Sequence, residues 1–213
     1  MKKFDSSIIN TKIENYITEL TIESDDILEE MHAYARESEI PIVGPLVGNF
    51  LYVISMITKS KSVFELGSGF GYSAYWFAKG VGSDGRIVCT DYSKEHMEKA
   101  HYFFKKTGQE NMFEFVAGNS LEILDRTNEK FEIIFNDVDK EFYPDVIDIA
   151  YDKLIKGGFL ITDNVLWYGR VIENDNLPST RGVKDFNRTI CEDPRFITSM
   201  LPLRDGVSIS YKK

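Results

Sequence analysis

Three short segments of this chain concentrate residue types that could do chemistry together. The first is Glu65-Leu66-Gly67-Ser68-Gly69-Phe70-Gly71-Tyr72-Ser73. Its glycines let the backbone approach a ligand and leave amide N–H groups free where a helix begins. The spacing is E-x-G-x-G-x-G; it departs from the dinucleotide fingerprint G-x-G-x-x-G because Tyr72 stands where the third glycine belongs. Asp91 follows about twenty residues later, where a carboxylate can take a ribose diol. Together these features point to a nucleoside cofactor. The bland reading is a tight strand-to-helix turn, with Asp91 capping the next helix.

The other two segments are Asn136-Asp137-Val138-Asp139-Lys140 and Asp163-Asn164. Carboxylate and carboxamide oxygens in an incomplete shell suit a hard cation, Mg²⁺, Mn²⁺ or Ca²⁺, with water or substrate oxygens in the remaining positions. Taken singly, each segment reads equally well as a solvated turn or a helix entry.

The elements that must position these residues are read from periodicity. From Lys61 onward, short β-rich runs (63–66, 87–90, 113–116, 133–135 and 159–161) alternate with helical stretches at 72–80, 93–107, 121–125 and 143–155. Strand, helix, strand, helix is the pattern of a parallel sheet with right-handed crossovers. Ligands of such sheets bind beyond the carboxyl ends of the strands, and all three polar segments fall at such ends. The last two runs, 196–203 and 207–211, are joined across Arg204-Asp205-Gly206, a turn signal for an antiparallel hairpin at one sheet edge. The polar segment 173–181 reads either as a lid or as a solvated loop. Upstream, Ser24-Asp25-Asp26 offers an N-cap for a helix carrying Ile27, Leu28, Met31 and Ala35, and 43–57 reads as a further helix.

Composition bounds the class. The 213 residues are 43% hydrophobic and 13% aromatic, enough for a substantial core. Lys+Arg of 25 against Asp+Glu of 34 gives a net charge of −9, the wrong sign for tracking phosphate backbones, so nucleic acid is disfavoured as a partner. Cys89 and Cys191 lie far apart and outside any Cys/His cluster, which excludes a disulfide framework or a zinc site; His32, His96 and His101 show no ligand spacing and receive no chemical role. The opening MKKFDSSIIN lacks an apolar stretch, and no run of about 18 apolar residues occurs, so no membrane partner and a cytoplasmic location are expected.

Over residues 40–213 the segments quoted above, with Tyr143 and Asp163-Asn164-Val165-Leu166-Trp167-Tyr168-Gly169, resemble the cation-dependent, S-adenosylmethionine-dependent O-methyltransferases of the catechol and caffeoyl-coenzyme A type. The resemblance implies an α/β fold: a Rossmann-like class I methyltransferase, with a seven-stranded, mostly parallel sheet, one reversed edge strand and helices on both faces. It implies one domain over 1–213, in which 1–40 is an N-terminal helical extension and 41–213 the catalytic core. Carried over by position, the cofactor site comprises Val43, Glu65, Gly67, Ser68, Ser73, Asp91, Ser120, Asp137 and Asp139. The metal ligands are Asp137, Asp163 and Asn164, and Lys140 with Asp137 is catalytic. The implied reaction is methyl transfer from S-adenosylmethionine to a hydroxyl of a catechol-like small molecule, assisted by a divalent cation, Mg²⁺ first. Two departures stand out: Gly118-Asn119-Ser120 where many members have Gly-Asp-Ala, and Asn136 where the residue is often hydrophobic.

The rivals are a transfer RNA 5-hydroxyuridine O-methyltransferase on the same fold, an NAD-dependent oxidoreductase, and a cation-binding module without catalysis. The glycine spacing speaks against NAD. Ile8, Ile9, Ile13, Ile17 and Leu20 form an apolar stripe on a first helix with little core of its own, so a homodimer is expected.

Overall fold

The computed structural model describes residues 8, 10–22 and 25–213. Helices α1 (Thr11–Thr21), α2 (Asp26–Glu37) and α3 (Gly44–Thr58) precede the first strand. After them come β1 (Ser62–Leu66), α4 (Tyr72–Val81), β2 (Arg86–Asp91), α5 (Lys94–Thr107), β3 (Phe113–Ala117), α6 (Ser120–Arg126), β4 (Phe131–Asn136), α7 (Tyr143–Lys153), β5 (Leu154–Thr162), α8 (Pro178–Glu192), β6 (Phe196–Leu201) and β7 (Val207–Lys212). None of the described helices is long and apolar enough to cross a membrane.

The strands form one seven-stranded sheet in the order β3-β2-β1-β4-β5-β7-β6, with β1 to β5 parallel. The terminal hairpin adds the reversed strand beyond them, β7 pairing antiparallel with β5 while β6 lies outermost. Chain order reverses at β1 and β4, so the crevice beyond their carboxyl ends is the place where this topology opens a binding site. One apolar cluster fills the face under α2 to α5, and the other the face under α6 to α8.

Local chemistry sets the element ends. Ser93 caps α5 by accepting from His96 N, while Gly108, in the left-handed region, closes it behind Lys105 and Lys106. Three expected boundaries move. The helix read over 143–155 ends at Lys153, because Leu154 already pairs with Phe131; an irregular register before Ile133 then lengthens β5 to nine residues. β6 stops at Leu201, since Pro202 has no N–H to give the ladder and residues 203–206 make the turn, closed by Gly206 N to Leu203 O at 2.8 Å. Pro178 opens α8, which absorbs the second half of the polar 173–181 segment. The remainder is pinned by an Arg170–Asp175 ion pair and by Thr180 Oγ1 donating to Asp175 at 2.7 Å.

Ser24 and Ile9 lie outside the described residues; the cap of α2 is Asp25, whose Oδ1 accepts from Ile27 N and Leu28 N. Asp25 also takes Lys79 Nζ at 2.8 Å and the Tyr75 hydroxyl at 3.0 Å, tying α2 to α4. Leu28, Met31 and Ala35 continue that bond as apolar packing in the same cluster as Val63 and Phe77. Asp25→Ala is therefore expected to lose about 2 kcal/mol in urea unfolding, from the cap and the charge-assisted bond together. Asp25→Asn, which keeps the cap, should lose about half as much.

Candidate active site

The carboxyl ends of the strands enclose a cavity of about 920 Å³. Backbone bonds extend the ladder past each end and aim the polar segments into it: Gly67 N and Ser68 N donate to Thr90 O, Asp137 N to Leu66 O, and Asp163 N to Asn136 O at 3.1 Å. Gly67 has φ +84°, and a Cβ there would lie 2.7 Å from Asp137 O, so only glycine allows the β1 and β4 ends to approach this closely. Gly69 at φ +51° faces open space.

The structure brings most of the expected residues together. Val43, Gly67, Asp91, Ser120, Asp137, Asp139, Lys140, Asp163 and Asn164 all line the cavity. Glu65, Ser68 and Ser73 are buried and do not line it. The Ser68 hydroxyl accepts from Thr90 N at 2.9 Å, so it braces the turn. Asp91 carries both readings made of it: Oδ2 accepts from Gly69 N at 2.9 Å and Oδ1 from Ser93 N at 2.8 Å, while its side chain still faces the cavity with lone pairs to spare.

Sequence reasoning gave no site role to several residues of the wall. His32 and Arg36 come from α2, Tyr168 from the turn after Asn164, and Arg204 and Asp205 from the hairpin turn. His32 does have a local role, its Nε2 meeting the Tyr72 hydroxyl at 2.7 Å, and His96 lines the cavity as well. Asp205 is buried, and one of its oxygens accepts from Tyr168 N. That bond holds the segment through Tyr168 and Gly169, where Asn164, Trp167, Tyr168 and Gly169 all take positive φ. The Asp-Gly signal announced the turn; nothing in it announced that the turn closes a cavity wall.

Electrostatically the site is an excess of buried acid. Neither Glu65 oxygen, nor Asp163 Oδ1, nor Asp205 Oδ2 has a hydrogen-bond partner among the described residues. Burial pushes the Glu65 carboxyl up to about 8 against the weaker pull of the nearby Ser73 and Ser68 hydroxyls, with Asp137 and Asp91 adding to the rise. Burial and then the charge of Asp137 push Asp163 up to about 7, and burial pushes Asp205 up to about 6. Burial likewise raises Asp137, although Lys140 Nζ sits 2.7 Å from its Oδ1. Burial works against the Lys140 ammonium, but Asp137 and then Tyr143 outweigh it and hold its pKa above the ordinary lysine value.

These groups fit a cationic cofactor and a hard metal ion. Buried carboxylate oxygens without partners suit an ammonium or sulfonium ligand, and Asp137, Asp163 and Asn164 at neighbouring strand ends could give a divalent cation two carboxylates and an amide oxygen. Among the described residues no cluster of three or more His, Cys, Asp or Glu completes a metal shell, so open positions would remain for other oxygens.

Residues 18–213 match the family model described as O-methyltransferase. The chain belongs to that family. This O-methyltransferase is 29% identical over 213 residues to the catechol O-methyltransferase of Niastella koreensis, covering 94% of this chain and 96% of the relative. It is 30% identical over 175 residues to the caffeoyl-CoA O-methyltransferase of Medicago sativa, covering 76% and 71% of the two chains. Among solved structures, the O-methyltransferase from Bacillus cereus in complex with S-adenosylhomocysteine superposes with a TM-score of 0.87 at 28% identity, covering 95% and 97%. The protein is an S-adenosylmethionine-dependent O-methyltransferase, which removes the oxidoreductase and non-catalytic readings.

A carboxyl whose pKa rises on folding holds a proton that the unfolded chain releases. In the ligand-free O-methyltransferase the contribution of Glu65 to stability should thus be complete below its ordinary 4.5 and be lost as pH climbs toward about 8. Glu65→Gln should flatten that slope and, at pH 8, raise the urea-unfolding free energy of the ligand-free protein by about 1–3 kcal/mol. An unchanged slope between pH 5 and pH 8 would show that Glu65 is not the group responsible.

Proposed function

We propose that this O-methyltransferase is cation-dependent and methylates a hydroxyl of a catechol-like small molecule. The observation that carries the reading is the Asp137, Asp163 and Asn164 set at the adjacent ends of β4 and β5, with Asp163 Oδ1 buried and unpartnered and Lys140 bound to Asp137. S-adenosylmethionine supplies an electrophilic methyl group on a sulfonium, and a divalent cation held by these three residues supplies Lewis acidity that makes a hydroxyl easier to deprotonate.

The chain's own residues do the rest. The Gly67 turn gives close approach, and Ser73, in the first turn of α4, offers its hydroxyl where a helix N-terminus favours a carboxylate. Asp137 and Asp139 present negative charge to an ammonium and a sulfonium, with the unpartnered Glu65 carboxyl buried behind them, while Asp91 is placed for a ribose diol; Val43 and Ser120 complete the walls and Ser68 braces the turn. The net −9 favours a small acceptor over transfer RNA, which would need a basic face. Lys140 is the candidate base. While it donates to Asp137 it is an ammonium and a poor base, so it gains that competence only as the charge of Asp137 is engaged elsewhere.

Ile13, Tyr16 and Leu20 on α1 and Val53, Met56 and Ile57 on α3 are exposed, and the two helices touch, which supports a homodimer through this face. Sedimentation at micromolar concentration is expected to give a dimer, and Leu20→Glu to shift it toward monomer.

The test of the reaction is a methyl-transfer assay with labelled cofactor against catechols, coenzyme A esters and bulk transfer RNA, with and without EDTA. Catechol should be methylated and EDTA should abolish the reaction. Asp163→Ala should do the same while changing S-adenosylhomocysteine affinity, read by calorimetry, by less than about threefold. Full activity in metal-free buffer would refute cation dependence. Lys140→Ala should lower kcat by about 10²–10⁴ if Lys140 is the base, and remove the acid limb of the pH profile.

A further inference from the structure

The hairpin turn places a guanidinium in the cavity that the acidic strand ends do not use. Arg204, at φ +49°, lies flat against the start of α3: a Cβ on Gly44 would fall 2.4 Å from its Nη1 and 2.9 Å from its Cζ. Nη1 donates to Ile42 O at 2.9 Å. Among the described residues this is the one hydrogen bond of the side chain, and no carboxylate comes within ion-pair distance of it. A guanidinium carries five N–H donors in a rigid planar fork, so most of this one's donors are unspent. Its charge works against the burial-driven rise in the pKa of Asp137, Asp163, Asp205 and Tyr168, all of which still stand above their ordinary values. Arg36 on α2 lines the same cavity and is likewise in no ion pair among the described residues. Two guanidiniums without an ion-pair partner among the described residues thus line a cavity whose strand ends are acidic.

We propose that Arg204 selects the acceptor, by pairing with a carboxylate on the aromatic ring that bears the reacting hydroxyl, so that the favoured substrates are hydroxylated aromatic acids. This rests on the catechol-like reading above and deepens it. The planar fork matches a carboxylate in a bidentate pair, and the backbone bond to Ile42 fixes the orientation of the fork before the acceptor arrives. Arg36 supplies further positive potential at the same wall without a fixed geometry of its own. The competing assignment, the carboxylate of the cofactor's methionine portion, is the outcome that the S-adenosylhomocysteine calorimetry below separates.

The experiment compares 3,4-dihydroxybenzoate with its neutral methyl ester and with catechol, using the full chain with S-adenosylmethionine and Mg²⁺. Wild type, Arg204→Gln and Arg204→Lys are each assayed, and calorimetry of the S-adenosylhomocysteine complex with acid and ester gives a readout independent of turnover. The wild type should favour the acid over the ester in kcat/KM, mostly through KM. Arg204→Gln should lower the acid-to-ester ratio by about 10- to 100-fold, the worth of a charge-assisted bidentate pair, with Arg204→Lys recovering part of it. The calorimetric acid-to-ester ratio should fall in step. A ratio that Arg204→Gln leaves unmoved overturns the proposal, because the residue then only braces Ile42. Loss of S-adenosylhomocysteine affinity by the same factor also overturns it, in favour of the cofactor's carboxylate. Wild-type transfer to catechol and ester with no preference for the acid defeats this inference alone. No transfer to any of the three defeats the acceptor reading beneath it.

Discussion

Crowding of like charge at the ends of three adjacent parallel strands is the constraint around which this molecule is arranged. Glu65 lies one residue before the end of β1, Asp137 and Asp163 follow directly from β4 and β5, and the parallel register gathers their carboxyls into one buried region. Water is largely gone from there, so each negative charge is costly, and the raised pKa values of Glu65 and Asp163 are the visible sign of that cost. Lys140 offsets part of it at Asp137, and the Arg204 charge a little more. The rest is left for a cationic ligand to satisfy. A binding site for positive charge is thus what this backbone topology becomes when acids occupy its strand ends.

The parts of this design carried by short-range pattern could be read from the residues. Alternation of β-rich and helical runs located β1 to β4 within a residue or two, and the polar strand ends marked the crevice. What could not be read is what comes together across long stretches of chain. Arg204 and Asp205 meet Ile42 and Tyr168 through the pairing of β7 with β5, and His32 enters the wall through the packing of α2 on α4 that Asp25 helps to fix. Boundary errors had local causes that periodicity does not report: an irregular register in β5, a proline after β6, and a proline that starts α8 inside a polar run. The anchoring of 173–181 was hidden for a related reason. Polarity described that segment's solvation correctly, but it was blind to the Arg170–Asp175 pair that fastens it.

Asp91 shows why bland and functional readings of one residue need not compete. The same carboxylate that faces the cavity also accepts from Gly69 N, which shapes the glycine turn, and from Ser93 N, which leads into α5. A substitution there acts on two levels at once. The turn on one side of the site and the wall on the other are coupled through a single side chain. Asp205 repeats the arrangement across the cavity, holding Tyr168 N with one oxygen and leaving the other free.

The strand order also bears on how the protein is made. β7 lies between β5 and β6, so β6 is synthesised before the strand it pairs with. Until residues 207–212 emerge, β5 keeps an open edge, β6 has no ladder, and the 203–206 turn has no anchor to hold Arg204 and Asp205 in the wall. The parallel half of the sheet can assemble during synthesis, but the pocket cannot be finished until the last strand threads into place. A nascent chain therefore passes through a stage that has most of its core and none of its acceptor wall, with an exposed strand edge that chaperones or neighbouring chains can engage.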